Sequence, residues 1–273
     1  MPAPTIPRTQ IPKFTTKQMN TAELCARALW YGIDFETGLF KTSDTELLDL
    51  FAPYFYQYHQ TRKKPKPDIF VKDVHTLINA AKIKMLYRGI AEMDFRKGIN
   101  AIYKTVYPIY LSSLRRSDRT STHQDAVLCL EKLSKGFVID PNANRLSLAS
   151  RVLFYISPNI MTFNMNSKIA IAFGLQWRPY HCYAEYFALC AKGLVTNQTK
   201  LSRYSLPERR PYLDLTTWSE TKATDWWKRR VLDIAVLLHL NLATPISLTV
   251  MKRLIREQRE RDALTWEEIG GHT

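Results

Sequence analysis

Two short stretches of this chain have residue types and spacing suited to binding a phosphate or a sugar. Residues 149–158 show an apolar helical pattern that ends at Pro158, because proline supplies no amide and disfavours a helical conformation in the preceding residue. Residues 164–170 begin a second helix, for which Asn166 or Ser167 is a suitable N-cap. A loop between two such helices directs free amides and a short polar side chain at one point, which suits an anion or a sugar.

Helical patterns dominate the elements that would position this loop. A helix is predicted from Thr21 to Tyr31, just before Gly32. Ser43 with Glu46 forms a capping box before a second helix, which runs through residues 45–50 to an aromatic cluster at residues 51–58. Strand-like alternation is scarce, so the predicted fold class is mainly α, with two helical lobes around a groove. Further helices are predicted at residues 70–86, 90–113, 123–135, 146–157, 167–175, 180–193, 224–242 and 246–260. The segment 224–242 has an apolar face and an opposite basic one: Trp227, Val231, Ile234 and Leu238 lie on the first, and Lys228, Arg229 and Arg230 on the second.

Changes in composition divide the chain into four predicted parts. Residues 1–20 are expected to be an extended tail, because the Pro, Thr and isolated basic residues there show no periodicity. Residues 21–135 form an N-terminal helical lobe and residues 136–245 a core that holds the loop described above. Residues 246–273 form a charged C-terminal helix and tail.

The overall charge points to a polyanionic partner. The chain has 273 residues, 39 Lys and Arg against 25 Asp and Glu, a net charge of +14 and a pI near 9.6. Nucleic acid is the commonest partner of such a surface, and a basic surface without such a partner is the alternative. The 45% hydrophobic content indicates a globular protein rather than a disordered one.

Cysteine spacing and hydropathy argue against several other classes of protein. The four cysteines show no CxxC spacing, and Cys190 lies on the apolar helical stripe of Tyr183, Tyr186, Phe187 and Leu194, so we expect neither a metal nor a cofactor. The N-terminus has no signal-peptide core, and no run of about 18 apolar residues occurs, so no membrane partner is expected. The sequence therefore predicts a cytoplasmic location.

Three segments resemble bacterial members of the helix–hairpin–helix DNA glycosylase superfamily that have the 8-oxoguanine DNA glycosylase fold. They are Ala-Ser-Arg-Val-Leu-Phe at 149–154, Asn-Ser-Lys-Ile-Ala at 166–170 and Arg-Val-Leu-Asp-Ile-Ala at 230–235. The resemblance spans residues 145–240. It implies a helical, glycosylase-like globule whose groove binds double-stranded DNA, and a DNA N-glycosylase that flips and excises a modified base. Defence against bacteriophages is one role that this implies.

The chain departs from that family at the catalytic position. The family's aspartate falls at Asn166, or at Asn164 in a shorter alignment, and its hairpin glycines and alternative lysine nucleophile are missing. Cleavage of an N-glycosidic bond develops positive charge on the sugar, and a neutral amide can orient water but offers no negative charge. Either Asp233, Asp140 or Glu185 supplies the acid, or the chain is a non-catalytic DNA-recognition module.

The remaining candidate residues surround these segments. Trp177, with Gln176 and His181 beside it, is a candidate base pocket because an aromatic side chain can stack on a flipped base. Packing in the core is the alternative for Trp177. Residues 62–67 are either a phosphate-contacting loop or a solvated connector. The side chains expected to contact DNA are basic or carry a hydroxyl: Arg145, Ser150, Arg151, Ser167, Lys168, Arg178, Lys63 and Lys64.

The C-terminal segment 246–266 is amphipathic. Met251, Leu254 and Ile255 lie opposite a row of arginines at helical spacing. This pattern is typical of a helix that binds a partner protein, and also of a solvated terminal helix.

Overall fold

The computed structural model describes residues 10–49, 146–156, 161–175, 181–208 and 220–270. Most of these residues are helical and none of them forms a strand, so the predicted mainly-α class is confirmed. An isolated antiparallel bridge joins Ile33 and Phe40. The described helices are α1 (Thr16–Trp30), α2 (Asp44–Asp49), α3 (Leu146–Ile156), α4 (Ser167–Ala172), α5 (His181–Leu201), α6 (Glu220–His239) and α7 (Leu248–Gly270).

The chain divides into two compact units, and neither is continuous in sequence. The first unit comprises Met1–Lys13 and Lys66–Thr199, and the second comprises Phe14–Pro65 and Lys200–Thr273. Helices α6 and α7 both pack against α1 in the second unit, although the sequence placed the three helices in successive parts of the chain. The apolar side of α7 packs into the core of the second unit, where Met251 is fully buried.

Three tryptophans form the centre of the second unit. Trp30 of α1 and Trp226 and Trp227 of α6 are fully buried. The ring centroid of Trp30 lies 6.0 Å from that of Trp226 and 5.7 Å from that of Trp227. Rings at such separations and inclined angles contribute more than their buried area alone. The predicted apolar face of α6 is confirmed, because Val231 and Ile234 are also buried.

A buried ion pair joins α2 to α6 in the second unit. Arg230 Nε and Nη2 donate to the two carboxylate oxygens of Asp44 at 2.7 and 3.0 Å, and Nη1 lies 3.6 Å from Asp233. The sequence pattern placed Arg229 and Arg230 on the polar side of α6, yet both are buried. That interpretation was wrong for Arg230 because a buried carboxylate from a distant helix compensates its charge, which local periodicity cannot reveal.

The N-terminal segment is not an extended tail beyond residue 10. Ile11 and Phe14 are buried, and α1 begins at Thr16, within the predicted tail of residues 1–20. Thr15 and Gln18 form a capping box at this point, which provides partners for amides that the first helical turn leaves free. Gly193 of α5 lies against the Ile11 side chain, and a Cβ at residue 193 would come within 2.8 Å of Ile11 Cδ1, so a larger residue there would require Ile11 to shift.

One further prediction on local structure is confirmed, and three others fall outside the described residues. The capping box of Ser43 and Glu46 is confirmed, with Ser43 N donating to Glu46 Oε2 at 2.6 Å and Glu46 N to Ser43 Oγ at 3.0 Å. The predicted helices at 70–86, 90–113 and 123–135 lie outside the described residues. Within the described ranges, no helix combines the length and the apolar character needed to cross a membrane.

Replacement of Arg230 by alanine is expected to destabilise the second unit strongly. The Asp44 carboxylate would remain buried without its bidentate partner, which costs about 3–5 kcal/mol in the free energy of unfolding. Urea denaturation measures this change. Lys228→Ala is the control on the same helix, because Lys228 pairs with the exposed Asp225 and should cost less than about 1 kcal/mol. Equal losses for both variants would contradict this role of Arg230.

Candidate nucleic-acid interface

The loop of residues 161–166 is held by side chains of the helices around it in the first unit. Ser150 of α3 accepts a hydrogen bond from Met165 N at 2.9 Å. From α5, the Tyr183 hydroxyl accepts from Phe163 N at 3.2 Å, and the Tyr186 hydroxyl donates to the carbonyl of Asn164 at 2.8 Å. These hydrogen bonds give partners to buried backbone groups that lie outside any helix or strand.

Asn166 is the N-cap of α4, as predicted. Its Oδ1 accepts from Lys168 N at 2.9 Å and from Ile169 N at 3.4 Å, and its backbone is extended. Asn166 is the residue that the resemblance placed at the catalytic position, and its side-chain oxygen is therefore already engaged in capping α4. The free amides expected from the sequence are not found at Lys168 and Ile169, because Asn166 itself binds them.

Asn164 differs from Asn166 in its environment. The residue is only 5% exposed, and its Oδ1 is buried with no hydrogen-bond partner among the described residues. A buried amide oxygen without a donor costs roughly 1–3 kcal/mol, so this atom is an acceptor suited to a water molecule or a ligand donor. The ring of the preceding residue, Phe163, packs on Phe187 with centroids 5.3 Å apart, and Phe187 packs in turn on Tyr183 at 6.3 Å.

The candidate DNA-contacting residues near the loop differ in exposure. Lys168 is exposed and Arg151 and Ser167 are half-buried, so their side chains reach solvent. Ser150 is fully buried, and its hydroxyl also donates to the carbonyl of Ser147 at 3.0 Å. Ser150 therefore positions the loop, and any effect of this residue on DNA binding would be exerted through the backbone that it holds.

The basic surplus of the chain is concentrated in the unit that contains this loop. The first unit has 20 Lys and Arg against 9 Asp and Glu, a net charge of +11. The second unit has 19 against 16, a net charge of +3. Much of the charge in the second unit is paired, as in Arg253 with Glu257 and Arg259 with Glu208. The electrostatic attraction of the chain for a polyanion thus lies mainly in the first unit.

The candidate acids have separate environments. Asp233 belongs to the second unit and lies beside Arg230, whereas Asn164 and Asn166 belong to the first. Glu185 is exposed on α5, as expected of a solvated side chain. The buried thiol of Cys25 is unsuited to act as a nucleophile, because burial raises its pKa to about 12.

Several predicted site residues lie outside the described residues. They are Arg145, Gln176, Trp177, Arg178, Lys63, Lys64 and Asp140, and the side chain of His181 is among them. Sequence reasoning assigned Tyr183 and Tyr186 only to an apolar stripe and missed the role of their hydroxyls. Two tyrosines three residues apart on that stripe were the available signal, because a buried phenol needs a hydrogen-bond partner.

Comparison of the chain with protein-family models, with curated proteins and with solved structures found no significant match in any of the three.

Two substitutions at residue 166 separate capping from other roles. Asn166→Ala is expected to lower the free energy of unfolding by about 1 kcal/mol, because α4 loses its cap. Asn166→Asp should retain wild-type stability, because aspartate caps helices as well as asparagine does. Chemical denaturation monitored by circular dichroism gives both values. Equal destabilisation of the two variants would contradict the capping role.

Proposed function

We propose that this protein binds double-stranded DNA through its first unit, with the loop of residues 161–166 and α4 at the contact surface. The observation that carries the proposal is the coincidence of the basic surplus and the loop: the unit with a net charge of +11 is the one that holds residues 161–172. Duplex DNA is a dense polyanion, and its neutralisation by Lys and Arg releases counterions and drives binding.

The exposed residues of the loop region suit phosphate contacts. Lys168 presents its ammonium group to solvent on α4, and Arg151 of α3 is half-exposed. The hydrogen bonds that Ser150 and Tyr183 accept and Tyr186 donates order the loop backbone before DNA binds. A surface that is already ordered loses less conformational entropy on binding, so these anchors favour affinity.

The chemistry of the loop favours DNA recognition over base excision as the function of this protein. The oxygen of Asn166 is engaged as a helix cap, and a carboxamide has no charge to stabilise an oxocarbenium-like state. Asp233 belongs to the second unit, where its carboxylate lies 3.6 Å from Nη1 of Arg230. Binding without excision requires neither residue to act as an acid or a base.

A DNA N-glycosylase is the second candidate, and the buried carboxamide of Asn164 favours it. Its Oδ1 could accept a hydrogen bond from a water molecule and direct that water at the sugar. Water would then add to the sugar carbon as the bond to the base breaks, and the base would leave with a proton. Such a site offers little catalysis, so it suits a modified base that is a good leaving group. Modified bases in phage DNA are the candidate substrates.

The exposed lysine of α4 is expected to contact a DNA phosphate. Lys168→Ala should weaken binding to all duplex sequences alike and reduce the slope of log K against log salt by about 0.9. Fluorescence anisotropy with a labelled duplex at several salt concentrations measures both quantities. Lys252→Ala is the matched control, because Lys252 is also exposed but lies on α7 of the second unit. The proposal fails if the wild-type chain does not bind duplex DNA, or if only Lys252→Ala weakens binding.

An abasic-site assay decides between the two candidates. The full chain is incubated with ordinary duplexes and with phage duplexes that carry modified bases, and abasic sites are then revealed by alkali. DNA binding without base release on any duplex supports the recognition protein. Base release that Asn164→Ala abolishes and Asn166→Asp retains establishes the glycosylase and places its water at Asn164.

A further inference from the structure

A turn of the second unit exposes two large apolar residues in succession. Leu39 is 68% exposed and Phe40 is 54% exposed. A single exposed aliphatic residue is ordinary on a protein surface, whereas a group of exposed apolar residues marks a site of interaction. Neither residue belongs to the loop and helix that we propose to bind DNA, so the turn requires an explanation of its own.

Hydrogen bonds within the chain fix the conformation of this turn. Asp34 N donates to the Leu39 carbonyl at 2.8 Å, and Gly38 N donates to the Asp34 carbonyl at 2.7 Å. Gly38 has a φ of 74°, which glycine adopts without strain. Asp34 Oδ1 also accepts from the amides of Glu36 and Thr37 at 3.0 and 3.3 Å. Apolar residues on a turn that is already ordered lose little conformational entropy when a partner binds.

Helix α7 packs beside the turn and extends its apolar surface. A Cβ on Gly38 would lie 3.5 Å from Leu254 Cδ1, in ordinary contact. Val250, four residues before Leu254 on the same side of α7, is 37% exposed. The guanidinium carbon of Arg261 lies 4.8 Å from the centroid of the Phe40 ring. These residues form the apolar patch of the second unit: Leu39, Phe40, Val250 and Leu254, with Arg261 at the edge.

The charges that border the apolar patch are paired within the chain. Lys41 Nζ lies 3.2 Å from Asp34 Oδ2, and Arg253 Nε lies 3.7 Å from Glu257 Oε1. The second unit as a whole has a net charge of only +3, so a polyanion is attracted weakly here. Two such patches can meet with little local repulsion. Each brings both signs of charge to the border, which is the self-complementary arrangement that a two-fold interface requires.

We propose that a second copy of this chain binds at the apolar patch, so that the protein forms a two-fold dimer through its second unit. In such an interface both protomers use the same patch, and Leu39 and Phe40 of each protomer contact the other. Aromatic and arginine side chains are common anchors of interfaces, and Phe40 against Arg261 combines the two. The inference is independent of the proposed DNA binding.

The effect of salt separates this association from DNA binding. The net charge of +14 makes two chains repel each other at long range, and salt screens that repulsion. Dimerisation should therefore strengthen as the salt concentration rises, because the apolar contact itself loses nothing to screening. Binding of the chain to duplex DNA should weaken over the same range.

Sedimentation velocity of the full-length protein without DNA tests the dimer. The wild-type chain should shift from monomer to dimer as its concentration rises to about 200 µM, because a small apolar interface gives a weak dimer. Leu39→Ser should raise the dissociation constant by about tenfold or more, since two-fold symmetry removes the apolar side chain from both protomers. Phe40→Ala should act in the same direction. Leu39 is largely exposed, so the thermal unfolding of Leu39→Ser should match that of the wild-type chain.

Val195→Ser is the matched control, because Val195 is 72% exposed on α5 of the first unit and should leave the dimer unchanged. A wild-type chain that stays monomeric throughout the concentration series refutes the proposal. A dimer that Leu39→Ser does not weaken, or weakens no more than Val195→Ser does, refutes the patch as its interface, as does a dimer that dissociates when salt is added. None of these outcomes bears on the proposed function, which the DNA titrations test separately.

Discussion

The buried backbone of residues 163–165 must find hydrogen-bond partners outside any helix or strand, and the geometry of the candidate site follows from this requirement. Ser150, Tyr183 and Tyr186 supply partners from the helices on either side, and Asn166 satisfies the first amides of α4. Because the loop is held in this way, α4 presents a defined exposed face. The same requirement engages the oxygen of Asn166, so the residue that the resemblance places at the catalytic position has a structural task.

The two units divide the physical tasks of the chain. The second unit is stabilised by a tryptophan core and by the buried pair of Arg230 and Asp44, and its net charge is only +3. The first unit combines a net charge of +11 with an ordered loop and the exposed Lys168. A polyanion is attracted by the sum of charges over a surface, so segregation of charge between units directs it to one of them.

Local features of the fold could be predicted from the sequence, and features that depend on distant residues could not. The cap at Asn166, the capping box of Ser43 and Glu46 and the buried face of α6 each arise from residues within one or two helical turns. The discontinuous units, the burial of Arg230 against Asp44 and the hydroxyl bonds of Tyr183 and Tyr186 join residues far apart in the sequence. Helical periodicity does not reveal contacts between residues so far apart. For the same reason, the sequence does not reveal which acid would lie beside the loop in a glycosylase.

Photocrosslinking of the full-length chain to a duplex substituted with bromodeoxyuridine tests the central claim most directly. Crosslinked peptides identified by mass spectrometry show which unit touches DNA. The account predicts crosslinks within residues 146–175, around α3, the loop and α4, and none in residues 14–49 or 248–270. Crosslinks confined to the second unit, or none at low salt, would contradict it.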